Sequence, residues 1–193
     1  PALSVDQARK LLDAPPKETL RGLRDRAILS VGLQVGPRRA EIARLLVSDF
    51  HEEQGFPALM LNRKGGADGS VVINPQTAQR LRDYLERAGH GQQLRGPLFR
   101  PIRVKNRYTQ DPLRALTPRG IWYVIKRWSK AIGLDPAYSS HSMRATCATR
   151  ALENGASLEE VQRLLGHANP TTTKLYDRRG YNPERSASFF ATY

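Results

Sequence analysis

The 193-residue chain contains a single cysteine, Cys147, so an internal disulfide is excluded and a reducing compartment is the simpler assumption. Cys147 lies at helical spacing from Met143 and Ala151, which reads as a small buried filler rather than a nucleophile. No apolar run approaches the ~20 residues of a membrane-spanning helix. No leader-like start, internal repeat or low-complexity stretch is visible. The chain opens on Pro1, which fits an excised domain or a processed N-terminus. Acidic residues are the minority: 18 Asp and Glu stand against 31 Lys and Arg, for a net charge of +13. That excess points to a polyanionic partner. Nucleic acid ranks ahead of an anionic membrane surface, because the basic residues run along the whole chain.

What is present reads mainly as helix. Ser4 opens a short helix to Leu12, and Pro15-Pro16 breaks it. Leu20, Leu23, Ala27 and Val31 form an apolar stripe ending near Gly36-Pro37, and Pro37 can serve as the first turn of a helix carrying Ile42, Leu45 and Leu46. The runs Ala58 to Leu61 and Ser70 to Ile73, separated by Gly65, Gly66 and Gly69, predict a hairpin or a three-stranded sheet. Asn74-Pro75 starts a helix with Ala78, Leu81 and Leu85 inward, closed by Gly89. Residues 90 to 117 read as an extended basic loop. Thr117-Pro118 caps a helix with Ile121, Val124, Ile125 and Trp128 on one face. Ser140 can cap another from His141 to Asn154. Ser157 and Glu160 form a capping box for the next, which Gly166 ends. Asn169-Pro170 starts the turn that bears Tyr176. The fold class expected is α+β, mainly helical, with a small antiparallel sheet.

The chemistry is concentrated in the last third. His141 and Arg144, three apart at a helix start, project from one face, and the helix N-terminus adds partial positive charge that suits a phosphate. Such a pair taken alone is ordinarily structural. His167 follows Gly166 outside the helix, where a cap or a satisfied core group is the commoner role. Tyr176, flanked by Lys174, Arg178 and Arg179, taken alone is an ordinary amphipathic tyrosine. With a pKa of about 10, its phenol becomes a nucleophile only beside a base and cations that stabilise charge on phosphorus. His141 and Cys147 lie six apart with no carboxylate–histidine cluster beside them, which disfavours a metal site. Relaxases and rolling-circle nucleases need a metal-binding histidine pair around an apolar residue, and the chain has none.

Taken together, the stretch HSMRATCATRALENGASLEEVQRLLGHANPTTTKLYDR, from His141 to Arg178, resembles the second half of the tyrosine recombinase (phage integrase) family pattern. That pattern is H-x-x-R, then L-G-H, then a tyrosine nine residues on. The resemblance extends from about Leu3 to Arg179 and implies two upstream groups. In the family a first arginine lies three residues before a glutamate, which places it at Arg38 before Glu41. Pro37 and Arg39 depart from the usual apolar residues. The family's hairpin lysine falls at Lys64, within Arg63-Lys64-Gly65-Gly66; taken alone, Lys64 would be a solvated turn lysine.

What the resemblance implies is a tyrosine recombinase catalytic-domain (DNA breaking-rejoining) fold over residues 1-179, with 180-193 as a C-terminal tail. Arg38 and Arg144 would clamp the non-bridging oxygens of one scissile phosphate. Tyr176 would attack phosphorus, His141 would accept its proton, Lys64 would protonate the departing 5′-oxygen, and His167 would donate to the phosphate. The 3′-phosphotyrosyl link would conserve the bond energy, so neither metal nor ATP is required. The helix carrying Arg119, Lys126 and Arg127, which approaches the major groove in the family, and the loop carrying Arg103, Lys105 and Arg107 are the candidate contacts to double-stranded DNA. A homo-oligomer is expected, a tetramer on paired DNA sites and a monomer alone, with no membrane partner, in the cytoplasm of a prokaryote or encoded by a phage or mobile element. The ending Tyr176 to Gly180 looks more like integrases of mobile elements than chromosome-dimer resolvases. The tail, with Phe189, Phe190 and Tyr193, could dock on a neighbouring protomer or fold back on its own chain. The family usually adds an N-terminal helical domain where this chain begins, so weak, salt-sensitive DNA binding is expected. The rival readings are a type IB topoisomerase, which shares the fold and chemistry, and a catalytically silent DNA-binding module.

Overall fold

The computed structural model describes residues 2–63, 69–102, 114–166 and 191–193. In chain order the elements are α1 (Val5–Asp13), α2 (Leu20–Val35), α3 (Arg39–Ala43), a 3-10 turn (Val47–Asp49), β1 (Phe50–Glu53), β2 (Phe56–Leu61), β3 (Gly69–Val72), α4 (Pro75–Ala88), α5 (Pro118–Ala131), α6 (Ser140–Glu153) and α7 (Leu158–Leu165). The strands form an antiparallel sheet of order β1-β2-β3, with Phe50 opposite Leu59 and Leu59 opposite Val71. The three-stranded alternative is therefore the one realised.

Helix α2 is the axis of the molecule and packs against α1, α4, α5 and α6. Its burial goes beyond the expected single apolar stripe, because Arg24, Asp25, Arg26, Ser30 and Gln34 are buried with the aliphatic residues. Burying charge is tolerable only when it is paired and hydrogen-bonded. Here Asp25 accepts from Arg24 Nε at 3.0 Å and from Trp128 Nε1 at 2.8 Å, and Arg24 Nη1 donates to the carbonyl of Arg100 at 2.9 Å. Arg26 donates to the carbonyls of Pro15 and Asp13, which fastens the α1–α2 connection. Ser30 and Thr77 hydroxyls meet at 2.8 Å between α2 and α4.

Three boundaries differ from those read off the sequence. Pro37 lies outside α3: the helix begins at Arg39 with Arg38 at its N-cap, and it ends before Leu45. The reason is local, since the Glu41 carboxylate accepts the Arg38 backbone N–H at 2.7 Å and so sets the first turn. Helix α6 starts one residue earlier than expected, with Ser139 as N-cap and its N–H donating to Ser142 Oγ at 3.1 Å. Residues 90–102 are irregular but not a free loop. Leu98 and Phe99 are buried, Phe99 stacks on Tyr84, and backbone bonds from Val47 to Gly96 and from Leu98 to Leu45 seat the segment against the α3 exit. At the chain end, Ala191 is buried, the Thr192 carbonyl accepts from Arg150 Nε at 2.7 Å, and the Tyr193 hydroxyl donates to the Leu33 carbonyl.

Candidate active site

Arg144 sits one turn into α6, buried to 5% exposure, while His141 in the first turn is exposed. Both stand on the same helix, but only Arg144 is sunk into the protein. Its Nη1 donates to the Gly36 carbonyl at 2.6 Å and its Nη2 to the Leu165 carbonyl. Both acceptors belong to helix ends closed by left-handed glycines, Gly36 (φ 68°) after α2 and Gly166 (φ 66°) after α7. A helix end leaves carbonyls without intrahelical partners, and a cation there meets the negative end of the dipole. Arg144 thus joins two helix C-termini at one point. The two ends are in close approach, since a Cβ on Gly36 would lie 2.7 Å from Leu165 Cδ2. Burial, with smaller contributions from the charges of Arg38 and Arg63 against the opposing pull of Glu41, holds the Arg144 pKa down to about 10. The group remains a full cation at neutral pH.

Arg38 reaches the same place from α3. Its guanidinium lies 3.8 Å from Glu41 Oε1, with the side chain 52% exposed. Of the two adjacent arginines, Arg38 is the one held by Glu41 and the one whose charge reaches Arg144; Arg39 is exposed. The other oxygen of Glu41 pairs with Arg63 Nε at 3.4 Å, and both of these side chains are buried. Arg63 then donates Nη1 to the Arg163 carbonyl at 3.2 Å and Nη2 to the Leu164 carbonyl. Arg38 and Arg63 therefore share one carboxylate, and the charges of all three groups act on Arg144. In the sequence Glu41 serves only as a spacing marker, and Arg63 has no evident role. The three-residue offset from Arg38 to Glu41, that of a capping carboxylate, is the available signal for Glu41. For Arg63 there is none, because its carbonyl acceptors lie about a hundred positions away.

Gly166 is required here twice over. Its φ of 66° costs a residue with a Cβ roughly 1–2 kcal/mol. A Cβ would also sit 2.5 Å from Arg63 Nη1 and 2.7 Å from Arg63 Cδ. Gly89 has a similar φ of 80° with nothing within 4 Å of such a Cβ, so it isolates the conformational part. Gly166→Ala is expected to destabilise clearly more than Gly89→Ala in a urea titration. Equal losses would show that Arg63 does not occupy this space.

Lys64, His167, Tyr176, Arg103, Lys105 and Arg107 lie outside the described residues. On α5, Arg119 and Arg127 are exposed. Arg119 stacks over the Tyr123 ring at 5.6 Å, and Arg127 lies over Trp128 at 5.6 Å. Lys126 is differently placed: its Nζ donates to the Pro136 carbonyl at 2.6 Å and to the Tyr138 carbonyl, so it ties α5 to the turn before α6. If the exposed face of α5 meets double-stranded DNA, Arg127→Ala should lower affinity for mixed-sequence duplex and reduce the slope of log K against log salt by about one phosphate contact. Lys126→Ala should instead lower thermal stability. A salt slope unchanged in Arg127→Ala would remove that residue from the DNA-contact set. Cys147 is fully buried, with its thiol against the Gln34 carbonyl at 3.0 Å, and burial pushes its pKa up to about 12.

The helices and the small antiparallel sheet that carry these residues have counterparts in solved structures. The chain belongs to the phage integrase family, whose model matches residues 1–182. Among curated relatives, Tyrosine recombinase XerD of Listeria innocua serovar 6a is 35% identical over 174 residues, covering 90% of this chain and 56% of that protein. Tyrosine recombinase XerD of Xanthomonas axonopodis pv. citri is 33% identical over 187 residues, covering 91% of this chain and 57% of that protein. The chain thus spans just over half the length of the curated relatives it matches. The fold is that of tyrosine recombinase catalytic domains. XerA recombinase superposes with a TM-score of 0.71 at 24% identity, over 93% of this chain and 59% of that one. The XerH site-specific recombinase bound to its difH substrate, a pre-cleavage complex, superposes with a TM-score of 0.72 at 21% identity, over 93% of this chain and 51% of that one. Among the described residues, no helix is long and apolar enough to cross a membrane.

Proposed function

We propose that this chain is the catalytic part of a site-specific DNA recombinase that cuts and rejoins double-stranded DNA through a tyrosine. The observation that carries the reading is that Arg38 and Arg63 share the Glu41 carboxylate while the buried Arg144 stands within electrostatic reach of all three. Such an excess of fixed positive charge matches a phosphodiester, and matches better the more highly charged five-coordinate phosphorus of in-line attack. Planar guanidiniums suit paired non-bridging oxygens.

In this reading Tyr176 Oη bonds to phosphorus while the bond to the 5′-oxygen breaks. The phenol proton passes to His141 as general base. Lys64 gives a proton to the departing 5′-oxygen, and His167 donates a hydrogen bond to the phosphate. Attack by a 5′-hydroxyl of another strand reverses these transfers and regenerates the phenol. The exposure of His141 and Arg38 suits groups that meet DNA, whereas the burial of Arg144 suits one fixed in advance. Residues 1–179 would form the catalytic domain and 180–193 its tail, with assembly into a tetramer on paired sites. A lambda integrase of similar fold forms a tetramer bound to a Holliday junction, which supports that assembly.

The test is a nicked suicide duplex bearing the sequence that this chain selects from random duplexes. Wild type should accumulate a denaturation-stable protein–DNA adduct, and Tyr176→Phe should form none. An adduct undiminished in Tyr176→Phe, or no adduct from wild type, would contradict the proposal. Strand exchange between two sites, rather than relaxation of a supercoiled plasmid by a monomer, separates the recombinase from a topoisomerase.

A further inference from the structure

Arg63 is the one member of the arginine cluster that the proposed chemistry leaves without work. Its side chain is 4% exposed, a costly position for a cation unless it organises its surroundings. Its contacts include the Glu41 carboxylate, the Arg163 carbonyl and the Leu164 carbonyl. With Arg144 on the Leu165 carbonyl, three consecutive carbonyls of the last turn of α7 accept from buried arginines. The absence of a Cβ at Gly166 is what lets the Arg63 guanidinium approach that turn closely. On its other side, the chain at Asn62 is held by Arg44, whose Nη2 donates to the Asn62 carbonyl at 3.0 Å.

Chain connectivity gives these contacts their meaning. Arg63 directly precedes Lys64, and Gly166 directly precedes His167. Adjacent Cα atoms are about 3.8 Å apart, so fixing Arg63 against Gly166 fixes the points from which Lys64 and His167 both depart. The geometry points to Arg63 as a positioning residue that couples the strand exit carrying the general acid Lys64 to the helix end carrying His167 and to Arg144. It touches no reacting atom in this scheme. It acts by setting where the proton donor starts relative to the phosphate clamp, and Glu41 holds it in register with Arg38. The inference rests on the recombinase reading above.

The experiment compares two suicide duplexes of the selected sequence, one with the natural 5′-oxygen at the scissile phosphate and one with sulfur in that bridging position. A thiol leaving group, with a pKa of about 8.5, departs near neutral pH without a proton donor. Arg63→Met should cleave the oxygen substrate about 10²-fold more slowly than wild type, the lower range of a lost general acid. On the sulfur substrate the deficit should shrink to within about threefold, the pattern also expected of Lys64→Met. The double variant should be no slower on oxygen than Lys64→Met alone, because the two act through one proton transfer. Arg63→Lys keeps the charge but not the fork. It carries the same comparison if Arg63→Met does not fold, and it should show a smaller deficit with the same sulfur rescue. Equal losses on both substrates, or losses that multiply in the double variant, would overturn the positioning role and leave Arg63 a packing residue. Failure of wild type on both substrates would instead overturn the recombinase reading itself.

Discussion

Arg144→Ala is expected to lower the rate of covalent adduct formation by at least about 10²–10³-fold, the usual loss on removing one preorganised donor to developing charge. The same change should also weaken the fold. The Gly36 and Leu165 carbonyls lose their guanidinium donors, and a buried acceptor left without a partner costs about 1–3 kcal/mol. Urea titration and adduct kinetics on the same preparation separate the two effects. Adduct formation within threefold of wild type would exclude Arg144 from the phosphate clamp. Arg144→Lys adds a pH dependence whose sign follows from burial. The wild-type guanidinium holds its proton less tightly in the folded state, pulled down from the ordinary arginine value to about 10, so its charge costs stability at every pH below about 10. That cost is relieved only as pH rises from there towards the ordinary arginine value. The cation is therefore present throughout the neutral range. A lysine starts from an ordinary value of about 10.4, and the same burial would pull it well below 10. The activity of Arg144→Lys should accordingly fall on the alkaline side at a lower pH than that of wild type. A coincident alkaline limb in the two proteins would contradict this electrostatic account.

Glu41→Leu is expected to destabilise the fold strongly. It leaves the buried Arg63 without its counter-ion and removes the acceptor for the Arg38 N–H. Breaking one side of a buried pair typically costs about 3–5 kcal/mol. Replacing both partners, in Glu41→Leu with Arg63→Met, should be less harmful than the single change, because no uncompensated charge stays buried. A measured coupling of about 1–3 kcal/mol in denaturant melts is expected from the cycle. Additive losses would mean that Glu41 serves α3 alone, through its cap on Arg38, and does not hold the cluster together.

How much of this was legible beforehand divides along the range of the interactions. The starts and stops of α4, α5 and α7 were readable because their signals are local: Asn74 before Pro75, Thr117 before Pro118, Ser157 with Glu160, and glycines after α4 and α7. The start of α3 is not legible in the same way: Pro37 has the form of a first-turn residue, whereas the Glu41 side chain captures the Arg38 N–H and begins the helix two residues later. The all-round burial of α2 was not readable from its stripe. Arg24, Asp25 and Arg26 look like a solvated face until Trp128, Arg100 and Pro15 arrive from distant segments. The site follows the same rule. Arg38, His141 and Arg144 come from a spaced pattern and could be named. Arg63 could not, since its contacts to Arg163 and Leu164 close only when the sheet meets the end of α7.

In the proposed reaction the phenol of Tyr176 becomes joined to DNA beside arginines that are far from it in sequence. Trypsin cutting after Lys174 and Arg178 would release the tetrapeptide Leu175 to Arg178 with Tyr176 inside it. Mass spectrometry of nuclease-trimmed, trypsin-digested adduct should find the residual nucleotide on that peptide alone, attached through a 3′-phosphate to the tyrosine oxygen. A nucleotide carried on any other side chain, or attached through its 5′ end, would contradict the account.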